Sequence, residues 1–349
     1  MKSLARLATG SLNRDIAART ELSRTLRHTG DFEFLGAPFR VHASSQGPLA
    51  YLERIYRYFR RDAQDDRLPG RMWVVEQDSP AADVLAGLLA SPRPIPGHAV
   101  VVDSFDYAVV VANRTMLRYY LSKLLRLAVV AISERTHVTL HAASVCGGGC
   151  GLLLIGEAAV GKTSLSLALI ERGFRYGADD TTPVRRNHGT CDPFPTPFIV
   201  RGAQDTGAPL LPELEGRRPD IALLNEPRWL VDRWKAVAEP FRPDFLIFLD
   251  GQAGAGVAPI SPANAAIELL RNVIFPLGAD LTRIPLHERY LDDALILAGH
   301  AQALRVGSRR PGDALHAILD LVGAGTAESV PGSVPDEKVP PRMTTTESA

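Results

Sequence analysis

A glycine-rich octapeptide ending in lysine and threonine is the part of the sequence best suited to chemistry. Residues 156–163 read GEAAVGKT and fit the pattern G-x-x-x-x-G-K-[ST] at every position. In such a loop, backbone N–H groups and a helix N-terminus face phosphate oxygens, and the lysine reaches the β- and γ-phosphates. We therefore predict that the chain binds ATP, with the Thr163 hydroxyl on Mg²⁺. The predicted nucleotide-binding residues are Gly156, Glu157, Ala158, Ala159, Val160, Gly161, Lys162, Thr163 and Ser164.

Two adjacent acids follow the loop and its predicted helix. Asp179 and Asp180 end the stretch GFRYGADD, in which GFRYGA is typical of a strand. If that strand lies beside the loop strand, both carboxylates emerge near the γ-phosphate. One acid could then hold the metal while the other accepts a proton from an attacking hydroxyl. Alternatively, the pair only begins a turn in DDTTP, and Asp250, after the apolar run FLIFLD, assists the metal.

A histidine favours the catalytic interpretation. His141 lies in LHAASV, on a strand that should pair with the loop strand and end beside the loop. Most strand histidines are packed or exposed without a function, so its predicted position matters more than its type.

The elements that must position these residues form an α/β pattern. GLLLI predicts a short buried strand before the loop, and Gly173 ends the helix that follows it. Further helices are predicted at 114–133, 262–274 and 312–322, around strands in HVTLHAASV and FLIFLD. Upstream, residues 32–112 alternate short strands and helices and include a valine-rich hairpin.

Composition limits the classes of function. The formal net charge of the 349 residues is zero, and no apolar run reaches the length of a membrane span, so we expect no nucleic-acid or membrane partner. Cys146 and Cys150 flank three glycines; this spacing could mark a redox or metal pair, but a hairpin turn is the preferred interpretation. With only three cysteines, a reducing cytoplasm is the expected location.

The order of these motifs resembles the catalytic domain of HPr kinase/phosphorylase. The shared features are His141, the turn CGGGC, the loop LLLIGEAAVGKTS, the helix end ERG and Ala178-Asp179-Asp180. The resemblance implies an α/β, phosphoenolpyruvate-carboxykinase-like P-loop catalytic domain. It also implies that Asp179 accepts the proton, that Asp180 and Thr163 hold Mg²⁺, and that His141 and Lys162 act on the transferred phosphoryl group.

The chain departs from that family downstream and upstream of the motifs. In PFPTPFIVRG, Ile199 stands where the family has a glutamate, and Arg201 is a candidate for substrate contact. The layout is more similar to HPr-kinase-related proteins of bacterial peptide-modification clusters, including lasso-peptide kinases, which implies a serine-type hydroxyl on a peptide or small protein as the acceptor.

The predicted organisation has four parts. They are an N-terminal helical segment (1–30), a smaller α+β N-terminal region (31–135), the catalytic domain (136–322) and a disordered tail (323–349). A kinase for free serine or a related alcohol and a non-catalytic nucleotide-binding module are the alternative functions. A homo-oligomer is left open.

Overall fold

The fold is taken from a computed structural model of the chain. It describes residues 5–6, 16–61, 70–88, 98–102, 107–111, 114–201, 214, 216–223, 226–233, 236–252, 256–275, 285–307 and 311–326. The predicted disordered tail lies outside the described residues from position 327 onward, whereas residues 323–326 continue a helix.

The N-terminal region is built on a six-stranded sheet. Its strands are β1 (Ala5–Arg6), β2 (His28–Phe34), β3 (Ala37–Ala43), β4 (Gly70–Val75), β5 (His98–Val102) and β6 (Tyr107–Val111). Their order is β1-β6-β5-β4-β3-β2, and all neighbours are antiparallel except β3 and β4. The predicted valine-rich hairpin is confirmed as the β5–β6 pair.

Four helices accompany this sheet. They are α1 (Ile16–Thr25), α2 (Gln46–Ile55), α3 (Ala81–Leu88) and the long α4 (Arg114–Ile132). The N-terminal segment is therefore not purely helical, because β1 and the start of β2 also lie within it. Helix α1 buries Leu22 on one face and leaves Thr20, Glu21 and Arg24 exposed.

The second six-stranded sheet carries the glycine-rich loop. Its strands are β8 (Ala142–Gly147), β9 (Cys150–Ile155), β10 (Arg175–Ala178), β15 (Phe245–Asp250), β16 (Gly256–Pro259) and β17 (Gln302–Gly307), in the order β10-β8-β9-β15-β17-β16. The central strands β9, β15 and β17 are parallel, and β8, β10 and β16 pair antiparallel with their neighbours. The predicted mixed α/β class is confirmed.

The turn between β8 and β9 lies between the two cysteines that flank the glycines. Gly148 and Gly149 have φ angles of +60° and +80°, the left-handed values that a two-residue hairpin turn needs. Cys146 and Cys150 are free thiols at the ends of this hairpin, so the hairpin interpretation is confirmed.

Two smaller sheets complete the described strands. A two-stranded ribbon pairs β7 (His137–Leu140) with β11 (Thr182–Arg185). A three-stranded sheet holds β12 (Phe198–Arg201), β14 (Glu226–Val231) and β13 (Ile221–Leu223), in that order. His141 directly follows β7, and one residue, Thr181, separates Asp180 from the start of β11.

The helices of the second region are α5 (Lys162–Ile170), α6 (Pro262–Arg271), α7 (Pro285–His300) and α8 (Pro311–Thr326). The predicted helices at 114–133, 162–172, 262–274 and 312–322 are confirmed with small shifts of their ends. Helix α7 was not predicted. Among the described residues, none of the helices combines the length and apolarity that a membrane span requires.

Candidate active site

The glycine-rich loop connects β9 to α5, as its pattern predicts. Gly156 has a φ of +157°, and a Cβ at that position would lie 2.9 Å from the Leu249 carbonyl oxygen of the neighbouring strand. Gly161 has a φ of +105° and precedes the first residue of α5. Glycine is therefore required at one loop end by the close approach of β15 and at the other by the left-handed backbone.

Lys162 lies inside the loop rather than in solvent. Its side chain is only 4% exposed. The ammonium donates to the carbonyl oxygens of Gly156 (2.8 Å) and Glu157 (3.0 Å) and contacts His141 Nε2 at 3.3 Å. Burial lowers the pKa of Lys162, and the negative charges of Asp180 and Asp179 oppose that change. The cation is thus fixed between the loop and the predicted catalytic groups.

Thr163, the predicted metal ligand, contacts one of the two aspartates. Its hydroxyl lies 3.1 Å from both carboxylate oxygens of Asp179. The resemblance pairs Thr163 with Asp180 instead. Asp180 adopts a left-handed φ of +59°, a conformation that aspartate tolerates better than most residues. The chain therefore bends at this pair, so the turn interpretation of DDTTP describes the backbone while Asp179 still reaches the loop.

Asp179 is a buried carboxyl close to several charged groups. Its side chain is 8% exposed. Burial, followed by the neighbouring Asp180 charge, raises the pKa of Asp179 to about 7, while the Thr163 hydrogen bond, Lys162 and Arg126 act in the opposite direction. These cations offset part of the cost of burying a carboxylate.

His141 occupies the junction between two sheets. It lies in the one-residue break between β7 and β8, and its backbone N–H donates to the Asn272 carbonyl at 2.6 Å. Burial and the Lys162 charge lower the pKa of His141, while Asp180 raises it by its charge and through a hydrogen bond to its backbone. The predicted proximity of this histidine to the loop is confirmed.

The route by which the aspartates reach the loop differs from the sequence expectation. Strand β10 does not lie beside the loop strand β9, because β8 separates them. Since β10 is antiparallel to β8 and β8 is antiparallel to β9, β10 and β9 run in the same direction. Their carboxyl ends therefore open at one edge of the sheet, which brings Asp179 to Thr163.

Arg126 is the site residue that sequence analysis missed. It belongs to α4 of the N-terminal region, yet its Nη1 donates to Thr181 Oγ1 at 3.3 Å, next to the aspartate pair. Burial is the main cause of the raised pKa of Asp179 and of the lowered pKa of His141; the Arg126 charge opposes the first change and adds to the second. The available signal was a single arginine interrupting the apolar stretch of a helix.

A cavity of about 850 Å³ lies beside the loop, and neither Asp179 nor His141 is among the residues that line it. Its volume is within the size range of small-molecule sites. Residues from the loop, from the end of β15 and from α6 and β17 line it. The residues that could contact a ligand there include Glu157, Val160, Ser164, Gln252, Arg271 and Arg305.

The remaining candidate residues fall into two groups. Asp250 lines this cavity and pairs with Arg305 at 3.5 Å, and Arg271 lies there in an ion pair with Glu268. Arg201 ends β12 opposite Arg228, and only its backbone is described.

The donor groups present fit a magnesium ion. The Thr163 hydroxyl and the carboxylates of Asp179 and Asp180 could supply oxygen ligands, the type that Mg²⁺ prefers. No cluster of three or more His, Cys, Asp or Glu side chains within the described residues is arranged to hold a metal.

Comparison with known proteins shows similarity to a sequence relative and to a solved structure. No family model matches the chain. It is 27% identical over 166 residues to HPr kinase/phosphorylase of Lactobacillus delbrueckii subsp. bulgaricus, which is 47% of this chain and 48% of that protein. The chain thus spans about half the length of this relative. The structure of the Hpr(Ser) kinase/phosphatase from Coxiella burnetii aligns with a TM-score of 0.27 and 16% identity, covering 54% of this chain and 97% of that one. The sequence relative confirms the resemblance of this chain to HPr kinase/phosphorylase.

Proposed function

We propose that this chain is an ATP-dependent kinase that phosphorylates a serine-type hydroxyl of a peptide or small protein. The observation that carries the proposal is the convergence of Lys162, Thr163 and Asp179. The buried Asp179 carboxyl lies 3.1 Å from the loop threonine hydroxyl, which places a candidate proton acceptor beside the loop that would bind the phosphates. The resemblance to HPr kinase/phosphorylase supports the same reaction class.

The loop side of the site binds and orients ATP. The loop residues Gly156–Ser164 and the N-terminus of α5 offer backbone donors to the phosphates, and Lys162 places a cation at the same edge. The cavity beside Glu157 and Ser164 is wide enough for the nucleoside. The phosphoenolpyruvate-carboxykinase-like architecture belongs to this proposal, as the fold in which such a loop serves a transferase.

The aspartate side of the site handles the acceptor. The acceptor oxygen forms a bond to the γ-phosphorus, and the bond from that phosphorus to the β,γ-bridging oxygen breaks, leaving its electron pair on ADP. The acceptor proton passes to the Asp179 carboxylate. The Thr163 hydrogen bond holds this carboxylate in place, while His141 keeps the Lys162 ammonium on the γ-phosphate side.

Thr163 and Asp180 are the residues that would hold Mg²⁺. When bound, the ion supplies positive charge to the β- and γ-phosphate oxygens. Asp250, the alternative acid, is engaged with Arg305 at the mouth of the cavity, which favours a role for it away from the aspartate pair.

The acceptor in this proposal is a serine of a precursor peptide, as the resemblance to kinases of peptide-modification clusters suggests. The test is transfer from γ-labelled ATP to a panel of serine-containing peptides, to free serine and to water. We expect label in a peptide and little ADP formation without one. Labelling of free serine alone would replace the peptide acceptor by a small molecule. ATP binding without any transfer or hydrolysis would favour a regulatory module.

A further inference from the structure

Arg126 connects two parts of the molecule that the sequence keeps apart. Helix α4 precedes β7 and packs its apolar residues, such as Leu121 and Leu125, into the core of the N-terminal region. Arg126 follows these residues directly and is directed to the second region, where Nη1 donates to Thr181. Thr181 immediately follows Asp179-Asp180. The helix therefore delivers a permanent positive charge to the acceptor side of the site.

The guanidinium has donor capacity that its neighbours do not use. The Nε atom of Arg126 is buried and has no hydrogen-bond acceptor among the described residues. A buried donor without a partner is uncommon in folded proteins and destabilises the fold. The one hydrogen bond from Nη1 goes to a neutral hydroxyl at the long distance of 3.3 Å. If Arg126 served only to connect α4 to Thr181, its buried Nε donor would remain without a hydrogen-bond acceptor.

The chemistry of the missing acceptor follows from the guanidinium itself. Its N–H groups form a planar fork that matches the spacing of phosphate oxygens, and it stays protonated at all physiological pH values. Its charge already acts on Asp179 and His141, so it lies within electrostatic range of both groups that flank the reaction. An oxyanion between these groups would be a suitable partner.

We propose that Arg126 donates hydrogen bonds to the transferring phosphoryl group and stabilises the charge that its oxygens carry during transfer. This inference rests on the proposed kinase function. Lys162 would act on the phosphates from the loop side and Arg126 from the α4 side. No proton leaves Arg126, because the acceptor proton goes to Asp179. The N-terminal region would then be part of the catalytic machinery.

The test compares Arg126→Met with wild type in two measurements. The first is the rate of γ-phosphoryl transfer, to a peptide or to water. The second is binding of ADP with aluminium fluoride, which imitates the transferring phosphoryl group. We expect kcat to fall by about 100-fold or more, as for other arginines at this step, while the Kd for ADP changes by less than about three-fold. Binding of the fluoride complex should weaken in parallel with kcat.

Two variants separate this role from a structural one. Arg118→Met removes an exposed arginine of the same helix and should leave both measurements unchanged. Thr181→Val removes only the hydrogen bond to Arg126 and should lower kcat by less than about five-fold. An Arg126→Met protein that binds the fluoride complex as well as wild type contradicts the proposal. A Thr181→Val loss equal to that of Arg126→Met would also contradict it. If wild type transfers nothing to any acceptor but the binding result holds, the kinase function fails and the phosphoryl contact stands.

Discussion

Lys162 is a buried cation with three contacts, two to loop carbonyls and one to His141. Lys162 differs from Lys123 on α4 in its burial and its contacts, since Lys123 is exposed. The loop pattern predicted the position of Lys162 at the loop, since the glycines and the lysine are adjacent in sequence, and its role toward phosphates stays a prediction. Its contact with His141 joins residues 21 positions apart, and only the hairpin connecting β8 to β9 brings them together.

Removing this cation should weaken nucleotide binding directly. We expect Lys162→Ala to raise the Kd for ATP by about 10- to 100-fold, the value of one to two charge-assisted hydrogen bonds. Calorimetric titration with ATP measures it, with Lys123→Ala as the control. An unchanged Kd for Lys162→Ala would show that the loop does not hold the phosphates in the expected way.

Arg126 shows the limit of residue-level prediction. Motifs of adjacent residues, such as 156–163 and 179–180, can be recognised because one segment supplies all the parts. Arg126 lies in α4 and precedes Asp179 by 53 positions in the sequence. It comes close to the aspartate pair only because of the way α4 packs against the second region. The lone charge in an apolar stretch was visible, but nothing local indicated which groups it would face.

At the scale of elements, β10 determines where the aspartates lie. Gly177 in β10 faces β8 so closely that a Cβ would be 2.4 Å from Ser144 Oγ and 2.9 Å from the Ser144 carbonyl oxygen. A side chain there cannot be accommodated by a rotamer change alone, because one of the contacts is backbone. The glycine therefore sets the spacing between the strand that carries Asp179 and the sheet.

Substitution at this glycine should affect stability and activity together. We expect Gly177→Ala to destabilise the fold by about 1–3 kcal/mol, as overpacking does, and to lower transfer by displacing Asp179 from Thr163. Gly299→Ala is the matched control, since nothing lies within 4 Å of a Cβ in that helical position; it should be neutral or stabilising by up to about 1 kcal/mol. Urea unfolding measures both. Equal stability of the two variants would contradict the close contact at β10.

Most elements followed from the sequence because their patterns are local. The strands and helices around the loop, the β5–β6 hairpin and the long α4 all carry clear periodicity or turn glycines. Helix α7 was missed although Tyr290, Ala294 and Leu297 have helical spacing on its buried face. Leu291 and Leu295 are exposed at 38% and 45%, and these two apolar residues outside the buried face blur the amphipathic pattern. The order of β10 and β8 depends on long-range pairing that periodicity does not encode.

At the scale of the whole molecule, the two regions share a hydrophobic core. Phe194, from the second region, contacts Phe34 and Phe59 of the first, with ring centroids 6.2 and 4.8 Å away. Its backbone N–H also donates to the Gly177 carbonyl of β10 at 2.8 Å. The strand that carries Asp179 is therefore packed against the N-terminal region, which the predicted division at residue 135 did not anticipate.

This shared core should make unfolding cooperative. We expect Phe194→Ala to lower the free energy of unfolding by about 3–5 kcal/mol while the chain still unfolds in one transition. Circular dichroism and tryptophan fluorescence measure it, since Trp73 lies in the first region and Trp229 in the second. Ile199→Ala, at a side chain that is 40% exposed, should have little effect. Two separate transitions in wild type would mean that the regions fold independently.

We propose that Asp179 is the residue that makes the glycine-rich loop part of a phosphotransferase. The most direct measurement compares transfer from γ-labelled ATP, and the Kd for ATP, in wild type and in Asp179→Asn. The substitution keeps the size of the side chain and removes the proton acceptor. We predict a loss of transfer of about 100-fold or more with a Kd within about three-fold of wild type. Transfer that survives in Asp179→Asn would contradict the assignment of this carboxylate as the proton acceptor.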